Sequence, residues 1–298
     1  MFSFLKSYKT LLAFSAALMI ASIASLVFFG LNLGIDFKGG SLLELKFKQD
    51  VAANSVASDL TAAGFGNVVV QPSGDRQVLI KTDELSSQED RAKLLDTLKN
   101  KFGEYEELRS DSIGPVIGTE LRQKAFWQTG LVILGILFYI AYAFRKLGGR
   151  KSQAHASSWR LSLAAVIALL HDLLIVLGVF ALLGRFHNVE IDSLFITALL
   201  TVLGFSVHDT IVVFDRLREN LQRELGYSFA ETVNYSVNQT LVRSINTSMT
   251  VLFVLLALAL FGGASIYYFV LALLIGIGAG TYSSIFVASA LLLLWNRE

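Results

Sequence analysis

The sequence predicts an α-helical polytopic membrane protein with six transmembrane helices and one α+β, ferredoxin-like (βαββαβ) domain between helices one and two. Three observations carry this. Hydrophobic residues make up 54% of the chain and charged residues only 16%, where a soluble domain is about a quarter charged. Six apolar runs approach the roughly 20 residues that a bilayer crossing takes. The long stretch between the first two runs instead alternates apolar and polar residues between turn and capping signals.

The runs are approximately Leu11 to Leu31, Phe126 to Phe144, Leu161 to Leu183, Leu194 to Phe214, Ile245 to Phe261 and Ile266 to Trp295. Lys6 and Lys9 precede the first, as in a signal peptide. Its apolar length and the lack of a clear cleavage site before Gly34 favour a retained helix. Lysine and arginine in short loops set orientation. Lys6, Lys9, the basic loop from Arg145 to Trp159, Arg160, the trio Arg216, Arg218 and Arg223, and Arg297 all fall on one side, and Arg185 alone on the other. Both termini are therefore expected to be cytoplasmic. Residues Glu219 to Asn238 read as a surface helix parallel to the membrane, near 217–240. The expected layout is a first helix (1–33), an external domain (34–124) and a five-helix membrane bundle (125–298).

Within the domain, Ser41 to Lys48 alternates as a strand with Leu43, Leu45 and Phe47 on one face. Asp50 is placed to cap a helix reaching Ala63, before Gly64. Asn67 to Gln71 and Arg76 to Lys81 read as strands around a Pro72–Asp75 turn. Ser86 and Glu89 suggest a capping box for a helix carrying Leu94, Leu95, Leu98 and Phe102, closed by Gly103. Tyr105 to Asp111 is the last strand. This order is that of a split βαβ unit, and it holds no catalytic constellation.

Composition narrows the function. A net charge of +1 gives no footprint for nucleic acid, and zero cysteines exclude disulfides, thiolate metal sites and a cysteine nucleophile. Neither H-E-x-x-H nor a nucleophile elbow occurs, so a membrane enzyme is disfavoured. No cofactor or metal is implied. Adjacent His-Asp residues point to different sides of a helix, which argues against metal binding by such pairs.

The informative residues are polar ones inside apolar runs, which in a membrane are a functional hypothesis by default. His171-Asp172 sits mid-way in the third run, and His208-Asp209 toward the cytoplasmic end of the fourth. Ser193, Thr197, Thr201 and His208 form a polar stripe beside Asp209. Arg243 precedes the fifth run, with Asn246, Thr247 and Thr250 near its helical face. Matching the ends of the fourth and fifth runs puts Asp209 and Arg243 at one depth. An ion pair there would hold Asp209 ionised, and protonation would release Arg243. Alternatively, Arg243 snorkels to the interface while Asp209 pairs locally. His171 could likewise serve only to hydrogen-bond across helices. In the sixth run Gly276, Gly280, Ser284 and Ala288 make a small-residue stripe suited to close packing.

Four segments carry a family resemblance. Gly34-Ile35-Asp36-Phe37-Lys38-Gly39-Gly40-Ser41 resembles the G-I-D-F-x-G-G signature of the SecD/SecF family, in the resistance-nodulation-division superfamily. Gly204 to Asn220 resembles a fourth-helix motif of that family, and Ile113 to Leu121 and Gly280 to Phe286 two further signatures. The resemblance spans the whole chain. It implies an accessory subunit of the bacterial Sec translocase in the cytoplasmic membrane. Such a subunit works with SecD as the other six-helix half, beside the SecYEG channel, and meets preproteins through the external domain. It draws on the proton-motive (or sodium-motive) force late in translocation. The family's transport aspartate maps onto Asp209 and its fifth-helix arginine onto Arg243. His208 departs from the asparagine of many relatives and is either a neutral replacement or a second titrating group. Gly34, Asp36, Gly39 and Gly40, with Gly276 and Gly280, are expected to serve as hinge or packing positions. The rival reading is a small-molecule exporter subunit of the same superfamily, for which two large external domains per chain would be expected.

Overall fold

The computed structural model describes residues 4–85, 87–144, 158–223 and 226–296, without the side chains of Ser158 and Ala264. The basic loop around Arg145–Lys151, Ser86 and Arg297 lie outside these residues. Among the described residues, six helices are long and apolar enough to cross a membrane. They are α1 (Phe4–Phe29), α5 (Pro115–Ala143), α6 (Ser158–His187), α7 (Ser193–Gln222), α8 (Phe229–Phe261), and α9 (Ala264–Tyr282) continued by a π-helical segment (Ser283–Val287) and α10 (Ala288–Trp295). The chain is a multi-pass membrane protein.

Between α1 and α5 lie α2 (Ile35–Lys38), β1 (Gly40–Phe47), α3 (Ala53–Ala62), β2 (Val69–Gly74), β3 (Gln77–Thr82), α4 (Gln88–Phe102) and β4 (Tyr105–Ile113). The strands form one antiparallel sheet in the order β2-β3-β1-β4, as a βαββαβ unit requires. The alternation in β1 turns Leu43, Leu45 and Phe47 toward Val56 and Leu60 of α3 and Leu94 and Leu98 of α4. Burying each such side chain contributes about 1.5–3 kcal/mol. The register pairs Leu43 with Ile80 and Leu45 with Val78.

Local details differ from the sequence reading. Ser87 caps α4, accepting a hydrogen bond from the Asp90 amide at 3.0 Å. Ala52, not Asp50, is the N-cap of α3, and no side chain caps it. Pro72 lies within β2 rather than in a turn, which is tolerated because β2 is an edge strand with no further ladder to donate to. The reversal falls instead at Asp75-Arg76, where Arg76 takes φ 56°.

The expected surface helix near 217–240 is not a separate element. The α7 helix runs unbroken through Leu217 to Gln222, and α8 starts at Phe229 and continues into the membrane. These extensions pair with each other. Buried Asn220 donates to Ser236 Oγ and Gln239 Oε1, both at 2.9 Å, and Ser228 with Glu231 forms a capping box at the start of α8. Satisfying those polar groups between two helices competes with laying one helix flat on a membrane.

The bundle core is centred on α6 and α7, while α5 buries only Gly118 and Ile140. Against α6, α1 turns a face of serines. Ser25 donates to the Gly178 carbonyl at 2.9 Å, and a Cβ on Gly178 would lie 2.5 Å from Ser22 Cβ. Small residues thus allow close approach where lipid offers no hydrophobic drive.

Candidate functional site: two buried carboxylates in the bundle

The segment after α1 ties the α+β domain to the bundle. The Gly34 amide donates to the Ile191 carbonyl and the Ile191 amide to the Asn32 carbonyl, both at 2.8 Å. Asp36 accepts from the Ser193 amide at 2.7 Å and from the Ser193 hydroxyl. Its carboxylate therefore sits at the N-terminus of α7, where the helix dipole favours negative charge. Asp192 caps the same terminus, accepting from the Phe195 amide at 2.9 Å. Burial pushes the Asp192 carboxyl above its ordinary range, and the nearby Asp36 adds to this. Gly39 and Gly40 take φ +84° and +145°. Cβ atoms there would lie 2.9 Å from Pro115 and 2.7 Å from the Thr82 carbonyl oxygen. One short loop thus joins β1, the start of α5 and the start of α7. Beside it, a cavity of about 640 Å³ separates the sheet from the helix ends, lined by Lys81, Glu190, Tyr267 and Phe269 among others. Lys81 and Glu190 bridge it with a 2.7 Å ion pair.

Deeper in the bundle, Asp209 is 2% exposed. Ser248 of α8 donates to its Oδ2 at 3.2 Å, and Thr281 of α9 donates to Ser248 at 2.7 Å. No Asp209–Arg243 ion pair forms. The contacts Asp209–Ser248 and Asn220–Ser236 fix the antiparallel register of α7 and α8. Arg243 is therefore level with Phe214, about 7 Å along the axis from Asp209. Its side chain is exposed, as are those of Asn246 and Thr250, while Ser244 and Ser248 are the residues turned inward. Thr247 is half-buried and donates to the Arg243 carbonyl at 2.9 Å. The expected polar stripe lies on a different side of α7 from Asp209. Thr197, Thr201 and His208 are exposed, and the two threonines donate to carbonyls four residues back.

Asp172, fully buried, is the more completely held carboxylate. Ser206 of α7 donates to its Oδ2 at 2.6 Å and Ser283 at 2.8 Å. His171 Nδ1 lies 3.0 Å from Oδ1. Ser283 is the first residue of the π-helical segment, a local widening that recurs at functional sites. Ser284 donates to the Ser206 carbonyl at 2.8 Å and accepts from Thr210 at 2.9 Å. Gly280 makes this possible, since a Cβ there would sit 3.0 Å from Ser206 Cβ and 3.4 Å from Asp172 Oδ2. Gly276 packs more tightly still, its Cβ position lying 2.3 Å from Val202. Sequence reading did not find Ser206, Ser248 or Ser283 as carboxylate partners, nor Thr281 behind Ser248, and it took Ser284 for packing alone. No local spacing marks them, because they come from other helices 34 to 111 residues away from the carboxylate they serve.

The family described as "Protein export membrane protein SecD/SecF, C-terminal" matches residues 93–298, and the "SecD/SecF GG Motif" family matches residues 24–51. The chain belongs to the SecD/SecF family. This SecD/SecF chain is 50% identical over 295 residues to the "Protein translocase subunit SecF" of Thermobaculum terrenum, covering 95% of this chain and 90% of that protein. It is 39% identical over 307 residues to the protein of that description from Vibrio alginolyticus, covering 98% and 92%. A crystal structure of SecDF, described as a translocon-associated membrane protein, from Thermus thermophilus superposes with TM-score 0.86 at 35% identity. That match covers 99% of this SecD/SecF chain but 39% of the solved one.

Proposed function

We propose that this chain is a non-enzymatic accessory subunit of the Sec protein translocase. With SecD as its other half, it uses a transmembrane proton or sodium gradient to promote late-stage preprotein translocation beside SecYEG. In this reading it sits in the bacterial cytoplasmic membrane with both termini cytoplasmic and residues 34–124 outside. The observation that carries the reading is Asp209, a carboxylate buried between α7, α8 and α9 with one side-chain donor. So lightly held a carboxylate inside a membrane bundle is suited to gaining and losing a cation.

Two further features support it. Arg243 and His208 stand exposed on the bundle surface, and at the depth of Asp209 contact with lipid is costly for the imidazole. A second six-helix half covering that face would remove the cost, and the SecDF structure is a chain more than twice this length. Second, α7 carries Asp209 and is clamped at its N-terminus by Asp36 of the domain-linking loop. A shift of α7 is thereby passed to the α+β domain, whose cleft against the helix ends offers a surface to an unfolded preprotein. The test is Asp209→Asn: export should continue at a basal rate and lose its response to the ion gradient. Export that still responds normally to the gradient would sink the reading.

A further inference from the structure

Asp172 is the better-held of the two buried carboxylates, and gradient coupling at Asp209 leaves it without a task. We propose that the His171–Asp172 pair is a second site, which takes up one proton in the middle of the bundle and transmits its state through Ser283 to the π-helical segment. Its role in coupling rests on the translocation reading, whereas its existence does not.

The pair is wholly buried, yet one of its polar atoms, His171 Nε2, has no hydrogen-bond partner. An ionised carboxylate only accepts, so Nδ1 carries the proton donated to Asp172 and Nε2 is left as a buried lone pair. In that state the pair bears one negative charge. Uptake of a single proton on the carboxylate makes it neutral overall. Among the described residues, the other titratable group against the pair is Tyr282 of α9, its ring 6.3 Å from the His171 ring and its hydroxyl donating to the Leu11 carbonyl of α1. At Asp172 itself, α7 and the π-helical segment present only serine hydroxyls.

Those hydroxyls favour a proton over an alkali cation. At 2.6 and 2.8 Å from Oδ2 they occupy the space in which an ion would sit, and Gly280 closes the remaining side. They also show what protonation moves. A proton on Oδ2 displaces one serine hydrogen, and the displaced hydroxyl needs another acceptor. Ser283 has one, the Gly280 carbonyl at 3.2 Å. Ser283 therefore turns, and it is the residue at which α9 gives way to π-helix. Thr281, two residues earlier, reaches Asp209 through Ser248. One short stretch, 281–283, thus contacts Asp172 directly and Asp209 through Ser248.

The experiment is infrared difference spectroscopy of the full chain in lipid nanodiscs, comparing acid and neutral pH in the carboxylic C=O region. Wild type should show two pH-dependent components, one lost in Asp172→Asn and the other in Asp209→Asn. Ser283→Ala and His171→Gln, which remove less, should each shift the midpoint of the Asp172 component. An unchanged spectrum in Asp172→Asn, or unmoved midpoints in both milder variants, overturns the proposal. So does a component that follows sodium at fixed pH. Loss of the gradient response in Asp209→Asn without any Asp172 component would keep the translocation reading and discard this one.

Discussion

Three glycines on one helix make a graded test of how α9 meets α7. A Cβ at Gly278 meets nothing within 4 Å, one at Gly280 lies 3.0 Å from Ser206 Cβ, and one at Gly276 lies 2.3 Å from Val202 Cγ2. Carbon atoms pack best at about 3.5–4.0 Å, so Gly280→Ala asks for roughly 0.5 Å of give and Gly276→Ala for more than about 1 Å. Val202 is fully buried and β-branched, so it has few rotamers to escape into. The helices must separate instead, at about 1–3 kcal/mol for an overpacked core and more where the backbone cannot follow. Gly278→Ala gains up to about 1 kcal/mol of helix propensity with no clash. Thermal unfolding of the purified chain in nanodiscs, at one scan rate, should rank Gly278→Ala at or above wild type, Gly280→Ala below it and Gly276→Ala lowest. Gly280→Ala should also disturb Asp172 specifically, because it pushes on the serine that donates to it. If Gly276→Ala melts with Gly278→Ala, α7 and α9 do not pack closely at Gly276 and Val202.

Two further predictions concern the joint between domain and bundle. Asp36→Ala removes a charged acceptor from the first turn of α7, a loss of about 1.5–3 kcal/mol for hydrogen bonds to an ionised group. Hydrogen exchange at the Ser193 amide should speed up while the β1–β3 ladder stays protected. Asp192 supplies a pH signature. Its folded carboxyl titrates above the unfolded one because burial disfavours the charged form. Between the unfolded and folded values the native state therefore binds more protons, and stability falls as pH rises through that window. Asp192→Asn keeps an N-cap acceptor and should flatten this part of the melting-temperature profile. A profile equally steep in the variant would refute the assignment.

Much of the architecture was legible because hydropathy and alternation are local. The six apolar runs located the membrane helices, and Leu43, Leu45 and Phe47 located the buried face of β1. Boundaries set by a single side chain were less legible. Ser86 and Ser87 present the same hydroxyl, and only the Asp90 amide selects Ser87.

For the candidate site, the sequence determined which residues are out of place in an apolar helix: Asp172 and Asp209, with His171 beside the first. It could not decide what faces them. Asp209 lies inside the end of the fourth run and Arg243 before the start of the fifth, so in antiparallel helices the two fall on opposite sides of that level, and the register brings Ser248, not Arg243, to Asp209. The rotation of α8 then turned Ser244 and Ser248 inward and left Arg243 outside. Likewise, a stripe of glycines and serines promises close packing, but only the packed bundle shows that Ser206 and Ser283 converge on one carboxylate oxygen. Burial of a charge is written in composition along one helix. Its partners come from register and rotation between helices, which no single segment encodes.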